Sequence, residues 1–249
     1  VDGIYTADPR IIATARRLSE IGADEMLELA AVGAGVLQER AVVFARRFDV
    51  PLRVLHSQKP GPGTLVLRET SNMERNSVIG CALRRELGRI GISGLHAAVG
   101  SQAVIFTALA DAGVMVDDIV QTDGDAGISL AFTVAHGELA EARDVVRAAI
   151  DRLAPGDDSI GVDVEIGLAK VSAVGSGMRS AIGVAARMFE ALSLAEIPIL
   201  NITTSEIRIS CLVPQDRGEA ALAAVHEAFG LDRDPQDGPF LGLTDRDQE

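Results

Sequence analysis

The chain has 249 residues, 47% of them apolar but only 3% aromatic, and a formal net charge of −13, so it is long enough for more than one packed core, built from aliphatic side chains. That charge repels nucleic-acid backbones and anionic lipid, which argues against nucleic acid or membrane as partners and for a cytoplasmic protein. Cys81 and Cys211 stand far apart without a C-x-x-C pattern, which points to neither a disulfide framework nor a zinc site, and no apolar run is long enough to span a bilayer.

In chain order, residues 1–10 read Val-Asp-Gly-Ile-Tyr-Thr-Ala-Asp-Pro-Arg. Gly3 admits a turn where a side chain would clash, Pro9 holds the chain extended, and Arg10 offers a planar fork to phosphate oxygens. The run reads as a loop that approaches an anionic ligand. From Asp24 an apolar period through Met26, Leu27, Leu29 and Ala30 predicts a helix, broken near Gly33 and Gly35 and resumed over 40–45. Residues 51–55 predict a short buried strand, Gly61 and Gly63 a break, 64–67 another strand, and the polar stretch 68–76 a connection between domains.

Beyond residue 76 the sequence repeats. Gly100, Phe106, Leu109, Val116 and Ile119 recur as Gly183, Phe189, Leu192, Ile199 and Ile202, a constant offset of 83. Each copy is preceded by a β-rich run (89–93 or 170–174) and followed by another (128–134 or 207–213), then by an Ala-rich amphipathic helix (138–153 or 218–229). With 160–166 as a fourth strand in the first copy, the order is the split βαβ arrangement. The polar tail from Asp232 has one apolar run, 239–243, which could return as an edge strand.

Residues 1–10 resemble the nucleotide loop of the amino-acid kinase superfamily, and residues 22–34 resemble the helix that follows it in aspartokinases. The duplicated modules resemble paired ACT domains, the amino-acid sensors of many biosynthetic enzymes. Residues 170–178 and 203–210 resemble the strands of the aspartokinase second sensor, and the likeness extends over almost all of 1–230. It implies α/β and α+β architecture: the C-terminal piece of an amino-acid kinase α/β domain (1–75), two ferredoxin-like ACT domains (76–166 and 167–235), and a tail (236–249). The implied activity is ATP-dependent phosphorylation of L-aspartate to 4-phospho-L-aspartate, the entry to lysine, threonine and methionine biosynthesis, with Mg2+ accompanying ATP. The alternative is a non-catalytic regulatory subunit that binds amino acids. Either form is expected to be a homo-oligomer through its ACT domains.

The resemblance assigns Tyr5, Thr6, Ala7, Asp8, Pro9 and Arg10 to the ATP pocket. It assigns Gly100, Ser101, Asp117 and Gln121 in the first copy, and Ser205 and Glu206 in the second, to effector binding, with lysine or threonine as effectors. It places the catalytic residues upstream of this segment, so the chain alone should not turn over, and it gives no metal ligand. Four departures qualify it, one of them Gln121-Thr122 in place of the family's Gln-Asn. Gly35 stands where the family has a nucleotide-contacting Lys, with Arg40 further along as a substitute cation. Ala97-Ala-Val-Gly100 replaces Asp-Lys-Pro-Gly, and Ala181-Ile-Gly183 replaces His-Pro-Gly. The sensor departures imply feedback that is weakened, altered or lost, and Gly35 bears on nucleotide use.

Overall fold

In the computed structural model, residues 1–70, 77–95, 100–124 and 127–233 are described. They divide into two compact units, one made of 1–84 with the chain from Lys170 onward, the other of Arg85–Ala169. The unit boundaries thus fall at 84/85 and 169/170, and the first unit is discontinuous in sequence, where the sequence reading placed consecutive divisions at 75/76 and 166/167.

The first unit begins with a three-stranded sheet. Strand β1 (Glu20–Gly22) lies parallel to β3 (Thr64–Leu67), and β2 (Leu52–Val54) pairs antiparallel with β3. Helix α1 (Ala23–Leu29) follows β1 directly and buries Ala23, Glu25, Met26 and Leu29. Its last turn widens over Ala30–Ala34 into a π-type turn and stops, because Gly33 has φ 109° and Gly35 φ 58°, values that glycine adopts without the cost other residues meet. The break predicted at these two glycines is where the helix ends. Helix α2 (Glu39–Arg47) carries Glu39 in its first turn and Arg46 and Arg47 in its last, which complements the helix dipole. Ile4, Ile21, Met26, Leu29, Val32, Val42, Val54 and Val66 form one core with Ala82 and Val174.

In the second unit, β4 (Gly80–Leu95, from Arg85 on), α3 (Ser101–Asp111), β5 (Asp117–Gly124), β6 (Gly127–Ala135), α4 (Leu139–Leu153) and β7 (Gly161–Val174, as far as Ala169) follow in order. The strands lie in the order β5-β6-β4-β7, with β5 and β4 antiparallel to β6. Alternate residues Ile90, Ile92, Leu130 and Phe132 face Ile105 and Leu109 of α3 and Ala142, Val146 and Ile150 of α4. Phe106 meets Phe132 edge-on at 5.6 Å. Strand β4 passes so close to α4 that a Cβ on Gly88 would lie 2.6 Å from Leu139 Cδ2.

The second copy, within the first unit, has the last residues of β7, then α5 (Val184–Leu194), β8 (Asn201–Thr204), β9 (Arg208–Pro214) and α6 (Gly218–Ala228). Helices α3 and α5 start 83 residues apart, as the repeat predicts. Here the order is β4-β7-β9-β8, so the fourth strand is supplied by residues 80–84, which the sequence reading gave to the first copy and which lie in the first unit. The edge strand expected at 239–243 lies outside the described residues, as do most of the 68–76 connection and residues 97–99 of the first copy's loop.

Candidate functional site

Residues 4–6 run beside 16–18. Thr6 N–H donates to Arg16 O at 2.8 Å, Leu18 N–H donates to Ile4 O at 2.8 Å, and Tyr5 and Arg17 form an antiparallel bridge. The Thr64 hydroxyl accepts from Ile4 N–H at 2.8 Å and donates to Leu18 O at 2.6 Å. A Cβ on Gly3 would fall 2.7 Å from both Arg17 Cδ and Thr64 Oγ1, closer than real Cβ contacts come, so only glycine fits where the loop enters this junction.

The loop forms one wall of a cleft of about 350 Å³. Tyr5, Ala7, Asp8, Pro9 and Arg10 line that wall, Leu29 and residues 33–36 line the facing one, and residues 81–83 also border the cleft. Five of the six residues assigned to the ATP pocket therefore come together. The sixth, Thr6, is buried and turned away: its hydroxyl accepts from Arg16 N–H at 3.0 Å and lies 3.0 Å from His226 Nε2 on α6. Gly35, the position at which the resemblance expects a Lys, sits on the facing wall. Arg40 lies on α2 and does not line the cleft.

The electrostatics of the cleft are sparse. Arg10 is held by Asp8, with Nη2 to Oδ2 at 2.6 Å and Nε to Oδ1 at 3.0 Å, while remaining 88% exposed. That hydrogen-bonded carboxylate pushes the guanidinium pKa up, so its charge is fixed. The Tyr5 hydroxyl donates to Asp2 at 3.0 Å; this bond lowers the Asp2 pKa, while burial, followed by Asp2 itself, raises that of Tyr5. The cleft is thus mostly apolar, with one arginine at its mouth. It fits the nucleoside end of a nucleotide, with Gly33 and Gly35 allowing close approach to backbone, but it carries too little positive charge to neutralise a triphosphate unaided. Among the described residues no group of three or more His, Cys, Asp or Glu side chains is placed to hold a metal ion, and no helix is long and apolar enough to cross a membrane. Cys81, at the cleft, and Cys211 are free and buried; burial alone pushes the Cys81 thiol pKa up, and that of Cys211 up to about 12.

In the first copy, Gly100 is the residue before α3, with φ 100°, and a Cβ there would meet nothing within 4 Å, so its role is conformational. Ser101 is buried in the first turn. Gln121 on β5 accepts a hydrogen bond at 2.9 Å from Gln102 Nε2, which brings it to the start of α3. Gln102 was not among the candidates, though its place beside Gly100 and Ser101 would have suggested it. Asp117 is separated from Gln121 by a register shift, with Asp118 at φ 48°. Its carboxylate accepts from Asp118 N–H at 2.9 Å.

In the second copy, Ser205 and Glu206 form the turn between β8 and β9. Ser205 N–H donates to Arg208 O at 2.8 Å, and Glu206 pairs with Arg179 of the β7–α5 loop at 2.7 Å.

Residues 1–56 match the model of the amino acid kinase family, and residues 171–229 that of the ACT domain. The aspartate kinase of Pseudomonas fluorescens is 42% identical over 240 residues, which make up 96% of this chain and 57% of that protein. The chain therefore spans little more than half the length of the curated relatives it matches. Crystal structures of E. coli aspartokinase III, with aspartate and ADP (R-state) and with lysine and aspartate (T-state), match with TM-scores of 0.77 and 0.72, at 30% identity over 92% of this chain and 50% of theirs. The regulatory subunit of aspartate kinase from Thermus thermophilus matches at 0.55 and 36% identity, over 61% of this chain and 98% of that subunit.

Proposed function

Because the chain belongs to the aspartate kinase family, we propose that it is the nucleotide-edge and sensor portion of an enzyme that phosphorylates L-aspartate from Mg-ATP in the cytoplasm. In that reaction a side-chain carboxylate oxygen of aspartate forms a bond to the γ-phosphorus, the bond from the γ-phosphorus to the β,γ-bridging oxygen breaks, and ADP leaves. Phosphoryl transfer of this kind asks the protein for position and charge neutralisation rather than covalent help.

The residues present fit part of that task. Tyr5, Leu29 and Val36 offer the apolar surface that a nucleoside needs, and Arg10, 88% exposed, reaches toward phosphate oxygens with a fixed charge. Mg2+ would ride on the phosphates, as is usual for this hard cation. The remaining cations and the aspartate site belong to chain beyond this segment, so the segment binds nucleotide without turning it over. In the sensors, Gln121 and Asp117 would meet an effector amino acid, lysine or threonine, and β5, the end strand of its sheet among the described residues, suits a second copy of the chain in a homo-oligomer.

The observation that carries this reading is the cleft shared by the 1–10 loop and the 33–36 turn. Titration calorimetry with ADP tests it: binding is expected, and Arg10→Ala should weaken it about tenfold by removing a charge-assisted contact. No heat with ADP, or an unchanged affinity in the variant, would overturn it. A second reading, a regulatory subunit, is favoured by the near-complete match to the Thermus subunit, but that subunit corresponds to only 61% of this chain, while residues 1–56 match the kinase family.

A further inference from the structure

Glu25 is a buried carboxylate, only 2% exposed, on the helix that walls the cleft, and no step of the chemistry above uses it. Its Oε2 accepts from Gly22 N–H at 3.2 Å, which ties it to the start of its own helix. Its Oε1 reaches into the second sensor copy, where it accepts from both the amide and the hydroxyl of Ser176, at 2.9 and 2.6 Å. Ser176 stands in the loop between β7 and α5, the connection that leads from a sensor's first strand into its first helix. An amide and a hydroxyl converging on one carboxylate oxygen are donors of the kind that the carboxylate of a bound amino acid draws on. Here the carboxylate comes from the cleft-side helix.

Both ends of this contact are stiff. One turn beyond Glu25 on the same face of α1 is Leu29, buried and lining the cleft, and the helix runs on to Gly33 and Ala34 in the same wall. At the other end, Gly175 N–H donates to Ile207 O at 2.9 Å, Arg179 of the loop pairs with Glu206, and a Cβ on Gly175 would lie 2.3 Å from Ser77 O. The loop cannot drift without carrying its neighbours. A displacement there is therefore handed to α1, because a buried carboxylate that loses two of its donors is strongly disfavoured.

We propose that Glu25 is a built-in carboxylate ligand of the second sensor copy, a positioning residue through which the β7–α5 loop sets the helix that walls the cleft. This rests on reading the cleft as a nucleotide site. The test is hydrogen exchange on the full chain with ADP as probe, comparing wild type with Glu25→Ala. In the wild type, ADP should slow exchange at 33–36 and also at 175–180. In Glu25→Ala, basal exchange at 176–178 should rise about tenfold, the ADP effect at 33–36 should persist, and that at 175–180 should vanish. Acetate, by filling the vacated place, should bring the basal rate back toward wild type, which a merely packing role for Glu25 would not allow.

Unchanged exchange at 176–178 in the variant, or no response to acetate, overturns the clamp whether or not nucleotide binds. ADP protection at 175–180 surviving in the variant overturns the coupling. Loss of all ADP protection in wild type overturns the nucleotide reading instead, while the basal rates still decide the clamp. Should Glu25→Ala fail to fold, Ser176→Ala deletes only the hydroxyl donor and should give a rise of about threefold at 177–178.

Discussion

His226 and Thr6 were both missed as partners, and they join the cleft loop to the second sensor. His226 is 2% exposed on α6, with Nε2 3.0 Å from Thr6 Oγ1. Burial is the main cause lowering its pKa from the ordinary 6.5, with the Arg16 charge acting the same way and Asp232 opposing. The folded protein therefore binds this proton less readily than the unfolded chain. Stability from the neutral ring is complete above about pH 6.5 and is lost as the pH falls through 6.5 toward the lower folded value. His226→Gln keeps a hydrogen-bonding side chain but cannot titrate, so its thermal midpoint should fall less than that of wild type between about pH 7 and pH 5. Parallel curves would show that His226 does not carry the acid sensitivity. Thr6→Val, which leaves the Arg16 amide and the imidazole without their partner, should cost about 1–3 kcal/mol at neutral pH.

At the scale of elements, the helix ends repeat as faithfully as the helix starts. After α3, Gly113 at φ 76° donates to Ala110 O and Val114 N–H to Leu109 O; after α5, Glu196 at φ 54° donates to Ser193 O and Ile197 N–H to Leu192 O. This is the Schellman closure, at positions 83 apart, with glycine in one copy and a glutamate forced into left-handed backbone in the other. Glu196→Gly should therefore stabilise by about 0.5–1 kcal/mol and Gly113→Glu destabilise by a similar amount. Urea unfolding of the two variants checks the opposite signs, and the same sign for both would remove the idea that backbone handedness governs these caps.

The same elements show how far local pattern reaches. Helices α3 to α6, the break at Gly33 and the strand at 64–67 could be read from period and punctuation, because each is set by residues within a turn or two. The length of β4 could not, nor could the joining of the runs at 160–166 and 170–174 into the single strand β7. β4 extends well beyond the apolar run at 89–93 through charged positions such as Arg84 and Glu86 at φ 57°, and β7 continues from one expected run to the next through Gly167 at φ 72°. Nor does any local signal say that residues 80–84 complete the second copy, since that depends on a pairing partner some ninety residues away. Of the candidate sites, the grouping of Tyr5, Ala7, Asp8, Pro9 and Arg10 along one cleft follows from their closeness in sequence, because a loop of consecutive residues needs no distant partner to come together. Thr6 entered the ATP-pocket set only through the family resemblance, and nothing local in the sequence points to its interior partners Arg16 and His226. Glu25 had a signal, a glutamate at the third position of a helix, but this suggests only a cap, not its second contact with Ser176.

For the whole molecule, β4 and β7 each run through the boundary between the two units, so the polypeptide that begins and ends the first sensor's sheet is the same polypeptide that builds the second. Residues 81–83 of β4 also border the cleft. On the proposed reading, an amino acid bound to the first copy acts on strands that continue to residues bordering the cleft, and linkage requires the effect to be mutual. Lysine is the effector to try first, and its affinity should change by the same factor on saturation with ADP as the ADP affinity changes on saturation with lysine, about 5-fold or more. Gln121, held by Gln102 at the start of α3, lies far in sequence from every residue of the cleft. Gln121→Ala should abolish the calorimetric signal of lysine while leaving ADP affinity as in wild type. A lysine heat that survives in the variant would remove Gln121 from the sensor. Lysine and ADP affinities that ignore each other in both directions would show that sensor and cleft, though built on shared strands, work independently.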